Sequence, residues 1–189
     1  MKILSFLFSF IFLVPAFAVE DNVVLLSPPK ALPSFELKDV KNKKFDQHQL
    51  QAQWSLLFFG FTRCQVICPN TMTILKNAYE IMEKNKKTIP QIIFISVDSA
   101  HDTPQTTDRY AKSFNAHFMG LAGGEKQIQL LTKSLGVLYM KVKQNEEETI
   151  DHSINLFLVN PQGQVAAIFS APYESSMLAR EIEKIIKTQ

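Results

Sequence analysis

The chain has 189 residues, 46% hydrophobic and 20% charged, a balance that fits one globular domain and excludes collagen-like, coiled-coil and fully disordered architectures. Lys and Arg number 20 against 18 Asp and Glu, and a surplus of +2 is too small to make a nucleic-acid or anionic-lipid surface.

The whole-chain averages combine two unlike pieces, because 14 of the first 18 residues are apolar and 5 of the 15 Phe lie there. Met1-Lys2 is a short basic start, and Ile3 to Val14 is an apolar run broken only by Ser5 and Ser9. Pro15-Ala16-Phe17-Ala18 then places small residues at the two positions a signal peptidase reads. The run falls short of the roughly 20 residues that span a bilayer, so residues 1–18 are expected to be a signal peptide cleaved after Ala18. The alternative is an uncleaved anchor. Either way the rest of the chain is expected to be exported, to the periplasm if the source is bacterial.

Residues 19–33 hold Pro28, Pro29 and Pro33 with little periodicity and read as an extended tether. Residues 34–189 then form one domain. Phe35-Glu36-Leu37 alternates, Lys41-Asn42-Lys43-Lys44 is a polar turn and Phe45 resumes, which predicts an N-terminal β-hairpin. Trp54 to Phe61 is a nearly continuous apolar run, short enough for a strand buried on both faces, and it stops at Thr62-Arg63-Cys64. After Cys68-Pro69 the period changes. Met72, Leu75, Ala78, Tyr79 and Met82 share one helical face, so the cysteines sit at a strand-to-helix junction.

Ile92 to Val97 is a second buried strand, Asp98 to Pro104 a polar loop and Gln105 to Phe114 a helix. A further helix runs from Glu125 to Leu135 and ends at Gly136, followed by a strand at Val137 to Val142. Asn145 to Thr149 reads as a solvated loop. Ile154 to Val159 and Gln164 to Phe169 flank Asn160-Pro161-Gln162-Gly163, a β-turn sequence, and therefore form a hairpin. Leu178, Ile182, Ile185 and Ile186 give the last helix its core face. The expected class is α/β, with a central mixed sheet flanked by helices and no internal repeat.

Oxidising compartments stabilise disulfides, yet only Cys64 and Cys68 are present. A bond closing so short a loop removes little unfolded-state entropy, so stability is a poor reason for the pair. A thiolate is both a nucleophile and a metal ligand, and a helix N-terminus favours it, as at Cys68. Two soft sulfurs select Cu(I) or Zn(II) over hard cations. Structural zinc wants four protein ligands, and no second Cys pair or H-x3-5-H occurs, which puts copper ahead. A third ligand would be a His or Met. Met72 and Met82 read as helix core, and among His48, His101, His117 and His152 the last stands out, in Asp151-His152-Ser153 beside the strand at Ile154.

These residues resemble the Sco/SenC family of thioredoxin-fold copper chaperones, which assist assembly of the copper centre of cytochrome c oxidase. The similarity runs from Phe35 to Lys187. It is carried by Phe59-Gly60-Phe61-Thr62, Cys64-Gln65-Val66-Ile67-Cys68-Pro69, Ser96-Val97-Asp98, Asp102-Thr103-Pro104, Gly120-Leu121-Ala122-Gly123, Asp151-His152-Ser153, Pro161 and Gly163. The resemblance implies a thioredoxin-like fold and Cys64, Cys68 and His152 as ligands of copper, held as Cu(I) and also as Cu(II). It also implies a copper-accepting oxidase subunit, or another copper or thiol protein, as partner to a monomeric chain. Contact with a membrane would come only through such a partner or an uncleaved leader.

The chain departs from the family pattern in three ways. Gln65-Val66-Ile67 stands where Pro-Asp-Val is common, removing a carboxylate beside the site. Asp98-Ser99-Ala100-His101-Asp102-Thr103-Pro104 stands where Asp-Pro-Glu-Arg-Asp-Thr-Pro is usual, exchanging an arginine for an imidazole. Many members also remain membrane-held, whereas cleavage is expected here. Ligation is untouched, but partner choice and redox potential respond to such neighbours. Copper delivery is the leading expectation. The competing one is a thiol-disulfide oxidoreductase in which Cys64 and Cys68 form a redox-active dithiol. Less favoured are a buried structural disulfide with an unrelated His152, and a peroxidase, for which Phe61 stands where such enzymes carry a threonine.

Overall fold

The computed structural model describes residues 22–144 and 147–189, so the expected leader at residues 1–18 lies outside the described residues. In chain order the strands are β1 (Val23–Ala31), β2 (Leu37–Lys38), β3 (Lys44–Phe45), β4 (Ser55–Gly60), β5 (Gln91–Ser96), β6 (Met119–Leu121), β7 (Tyr139–Gln144), β8 (Glu147–His152), β9 (Leu156–Val159) and β10 (Gln164–Phe169). The helices are α1 (Ile67–Lys84), α2 (Pro104–Phe114), α3 (Glu125–Leu135) and α4 (Ser175–Thr188).

Six strands make the central sheet in the order β1-β10-β9-β4-β5-β6. β4, β5 and β6 run parallel, joined by the crossover helices α1 and α2, while β9 runs antiparallel to β4 and β10 antiparallel to β9. This is the expected mixed sheet, and the expected N-terminal hairpin is β2 with β3. All six residues of β4, which lies between β9 and β5 in the middle of the sheet, are buried, as a strand covered on both faces must be. α1 buries Cys68, Thr71, Met72, Leu75, Ala78 and Met82, close to the face read from the sequence, with Tyr79 half-buried at its edge. α4 buries Leu178, Ile182 and Ile185, and its Ser175 hydroxyl donates to the Ile74 carbonyl of α1 at 3.0 Å. Truncating one such side chain, Leu75→Ala for example, costs about 2–5 kcal/mol.

The structure differs from the sequence reading at two segments. Much of the expected tether is β1, which pairs with β10 from Val23↔Phe169 to Ala31↔Gln164, with its register broken between Leu25 and Lys30. Pro28 and Pro29 fall inside that break. They lack the N–H a ladder needs, which an edge strand tolerates and a central one does not. Of the segment read as a solvated loop at Asn145 to Thr149, Asn145 and Glu146 lie outside the described residues and Glu147 to Thr149 belong to a second hairpin. β7 and β8 pair from Tyr139↔His152 to Gln144↔Glu147 as a two-stranded sheet of their own. His152 therefore ends β8 and does not begin β9.

Two glycines are fixed by geometry. Gly136 caps α3 at φ 71°, the left-handed conformation that ends helices at little cost only for glycine. Gly60, the last residue of β4, has no room for a side chain. A Cβ there would lie 2.7 Å from the Cys68 sulfur and 2.8 Å from the Phe94 ring.

Candidate metal centre

β4 ends against the start of α1, and the turn between them carries the first thiol. The Cys64 N–H donates to the Phe61 carbonyl at 3.3 Å, and α1 begins after Val66 without a side-chain cap. The Cys64 sulfur fills that role, accepting the Cys68 N–H at 3.3 Å. Orphan amides at a helix start stabilise an anion, so the local fold favours the Cys64 thiolate. The Cys68 thiol, donating to the Cys64 sulfur, is the main cause that draws the Cys64 pKa from 9.0 down to about 5. Burial opposes the shift, and the backbone N–H groups of Cys68, Val66 and Ile67 add to it. Cys68 is pushed the other way, far above the ordinary thiol range, first by donating to Cys64 and then by burial, so the thiolate expected at Cys68 from its place at the helix start falls to Cys64 instead. Both thiols are free.

His152 arrives from β8. Its Nε2 lies 3.3 Å from the Cys68 sulfur, and its Nδ1 lies 3.0 Å from the Ser153 carbonyl oxygen. A carbonyl oxygen only accepts, so Nδ1 carries the proton in the neutral ring and Nε2 turns its lone pair toward the thiols. The ring packs against Phe58 and Phe61, at centroid separations of 6.3 and 5.8 Å. The ligand atoms of Cys64, Cys68 and His152 all lie within 4.8 Å of one another. A metal held at about 2.3 Å by sulfur and about 2.0 Å by nitrogen would fit between them if the widest pair closed by up to about 1 Å. Among the described residues this is the only such cluster of three or more His, Cys, Asp or Glu. Cys68 is buried, while Cys64 and His152 are half-buried, which leaves a side open to an incoming ligand.

The SCO1/SenC family model matches residues 26–187, most of the chain. The chain belongs to the SCO1/SenC family. A protein of Stutzerimonas stutzeri named for copper binding is 34% identical over 171 residues, covering 90% of this chain and 84% of that one. The crystal structure of Arabidopsis thaliana ScoI with copper bound aligns at 29% identity with a TM-score of 0.80, covering 84% of this chain and 99% of that one. Copper-bound yeast Sco1 aligns at 26% identity with a TM-score of 0.77, covering 85% and 91%. These neighbours establish the thioredoxin-like Sco fold for this chain.

Around the thiols of this Sco-family chain, two acidic residues of the loop after β5 hold the cysteine turn. Asp102, buried, accepts the Thr62 N–H at 2.9 Å and the hydroxyls of Thr62 and Ser96 at 2.5 Å each. Asp98, also buried, takes Arg63 Nη2 at 2.7 Å, and His101 Nδ1 lies 2.9 Å from both Asp98 Oδ1 and Arg63 Nη2. Burial raises the Asp98 pKa, but the hydrogen bonds and charges of Arg63 and His101 outweigh it and hold the carboxyl below its ordinary value. His101, one of the departures from the family pattern, thus joins an ion pair next to Cys64. Tyr173 fixes the chain just beyond His152 by donating to the Ile154 carbonyl at 2.8 Å.

The three predicted ligands come together. The other histidines do not join them: His48 lies in a 3-10 turn at Gln47–Leu50, and His117 stacks on Tyr79 at 5.8 Å. Met72 and Met82 are buried core, as expected. Sequence reasoning quoted Asp98 and Asp102 only as motif letters. Their partners Thr62 and Ser96 also stood only as motif letters, and Arg63 carried no signal beyond lying next to Cys64.

Proposed function

We propose that this chain is an exported copper carrier. It takes copper on Cys64, Cys68 and His152 and passes it to a copper-accepting subunit of cytochrome c oxidase, the enzyme to which Sco proteins are linked. The observation that supports this reading best is the convergence of two thiols and one imidazole lone pair within 4.8 Å. Two sulfurs and a nitrogen suit Cu(I), which accepts three ligands and leaves a direction of approach free. A thiolate from the acceptor enters on the exposed side, and half-buried Cys64 leaves more easily than buried Cys68. The copper changes owner by ligand exchange without passing through water. Export rests on the residue pattern at 1–18, with cleavage after Ala18 and residence in the periplasm of a bacterial source. No helix among the described residues is long and apolar enough to cross a membrane.

The test is metal analysis and Cu(I) competition titration of the reduced protein, wild type beside His152→Ala. One copper per chain is expected, with affinity at least 100-fold weaker in the variant. Failure of the wild type to retain copper, or equal affinities, would overturn the proposal. N-terminal sequencing of the exported form checks the leader: Val19 supports cleavage and Met1 refutes it.

A second reading is favoured by the asymmetry of the thiols, a half-buried thiolate at Cys64 and a buried thiol at Cys68. That is the arrangement of a dithiol reductant. Cys64 attacks one sulfur of a partner disulfide and the other sulfur leaves as a thiolate. Cys68 then loses its proton to His152 Nε2, 3.3 Å away, and attacks the Cys64 sulfur. The partner leaves with two reduced sulfurs and this chain keeps the disulfide. His152→Ala should spare the first attack and slow the second step, whereas it removes a copper ligand outright.

A further inference from the structure

His152 reaches the thiols from the β7–β8 hairpin, which is a sheet of its own and not an extension of the central one. Backbone pairing with the core does not hold it, so beyond the short chain links to α3 and β9 its position depends on side-chain contacts. Tyr139 lies directly opposite His152 across the hairpin. Facing residues of an antiparallel pair share one face, with Cβ atoms about 5 Å apart. The Tyr139 hydroxyl donates to Glu125 Oε1 at 2.8 Å, in the first turn of α3. The other oxygen of that carboxylate, Oε2, accepts the Ser99 hydroxyl at 2.5 Å. Ser99 follows Asp98, whose carboxylate binds Arg63 beside Cys64. Gln129 Nε2 also donates to Oε1, at 2.9 Å. One carboxylate therefore holds the histidine-bearing hairpin through one oxygen and the loop that braces the cysteine turn through the other.

We propose that Glu125, with Tyr139 and Ser99, is a clasp of positioning residues that sets how often His152 stands within reach of Cys64 and Cys68. The metal part of its test rests on the copper-binding reading above. Hydrogen bonds to a carboxylate are about twice as strong as neutral ones, which makes this tie a substantial constraint on a two-stranded ribbon. Ile150, buried in the core, and the Tyr173 bond to Ile154 hold the chain on either side of His152, whereas the clasp acts on the facing strand at Tyr139. Opening the clasp consequently loosens the His152 end without detaching the hairpin.

The experiment uses the reduced full chain and the variant Tyr139→Phe, which deletes one oxygen and keeps the ring. Cu(I) affinity is read by competition with a chromogenic chelator, in the wild-type and the His152→Ala backgrounds. Loss of one charge-assisted bond should weaken Cu(I) binding about tenfold in the first background and leave it unchanged in the second. Without metal, amide exchange across Tyr139–Gln144 and Glu147–His152 should speed up in Tyr139→Phe. Ser99→Ala, which frees the other oxygen, should shift both readouts in the same direction and serves if Tyr139→Phe does not fold. Unchanged affinity in the wild-type background, an equal loss when His152 is already absent, or unchanged exchange would each overturn the clasp. If the wild type binds no copper, the copper reading falls, and the exchange measurement alone decides the clasp.

Discussion

The ionisation of Cys64 gives the most discriminating test of the local electrostatics. With its pKa at about 5 in place of 9.0, the thiolate fraction at pH 7 rises from about 1% to about 99%. A thiolate of lower pKa is also a weaker nucleophile. With a Brønsted coefficient of about 0.4–0.5, four units cost a factor of roughly 40–100 in intrinsic reactivity. The two effects nearly cancel at pH 7, so a single rate there says little. The pH profile is decisive. Alkylation of Cys64 by iodoacetamide, followed by mass spectrometry in a Cys68→Ser chain that keeps a hydroxyl donor, should rise with a midpoint between pH 5 and 6 and be flat by pH 7.5. In Cys68→Ala, where the first cause of the shift is removed, the midpoint should move upward by a unit or more. A wild-type or Cys68→Ser midpoint near pH 8.5 would refute the idea that the helix start and Cys68 stabilise the thiolate.

Three further outcomes are expected. Gly60→Ala forces a methyl group within 3 Å of the Cys68 sulfur and the Phe94 ring, so thermal or urea unfolding should show a loss of about 1–3 kcal/mol and copper retention should fall with it. Asp98→Asn leaves the Arg63 guanidinium without its carboxylate and should cost about 1–3 kcal/mol in the same assay, the exposure of Arg63 keeping the figure at this modest level. Because the folded-state pKa of Asp98 is depressed, its contribution is fully present above the ordinary carboxylate value of 3.8 and is lost as pH falls below that toward the folded value. The stability of the wild type should therefore drop more steeply than that of Asp98→Asn in that window, and parallel curves would argue against the ion pair.

What could be read from residues alone followed the strength of local patterns. β4, β5 and the buried faces of α1 and α4 announce themselves because a strand covered on both sides, or a helix against a sheet, must be apolar at fixed spacing. Cys64, Cys68 and His152 were legible because thiols and imidazole carry their chemistry in their identity. β1 was hidden by Pro28 and Pro29, which look like linker residues until an edge position accommodates them. β7 showed as the strand expected at Val137 to Val142, but its partner β8 was hidden because a ribbon outside the main sheet need not alternate apolar and polar residues, so Glu147 and Glu148 read as solvated loop. The ties of Asp98 to Arg63 and of Glu125 to Tyr139 and Ser99 join residues far apart in sequence. Nothing in one sequence ties those acids to their partners.

The central claim is a copper site made of two sulfurs and one imidazole nitrogen. X-ray absorption at the copper edge of the reduced, Cu(I)-loaded protein, with total metal counted on the same sample, tests it most directly. The account predicts one copper per chain, two sulfur neighbours and one nitrogen neighbour in the wild type, and loss of that nitrogen in His152→Ala. Substoichiometric copper, or a nitrogen that persists when His152 is gone, would contradict it.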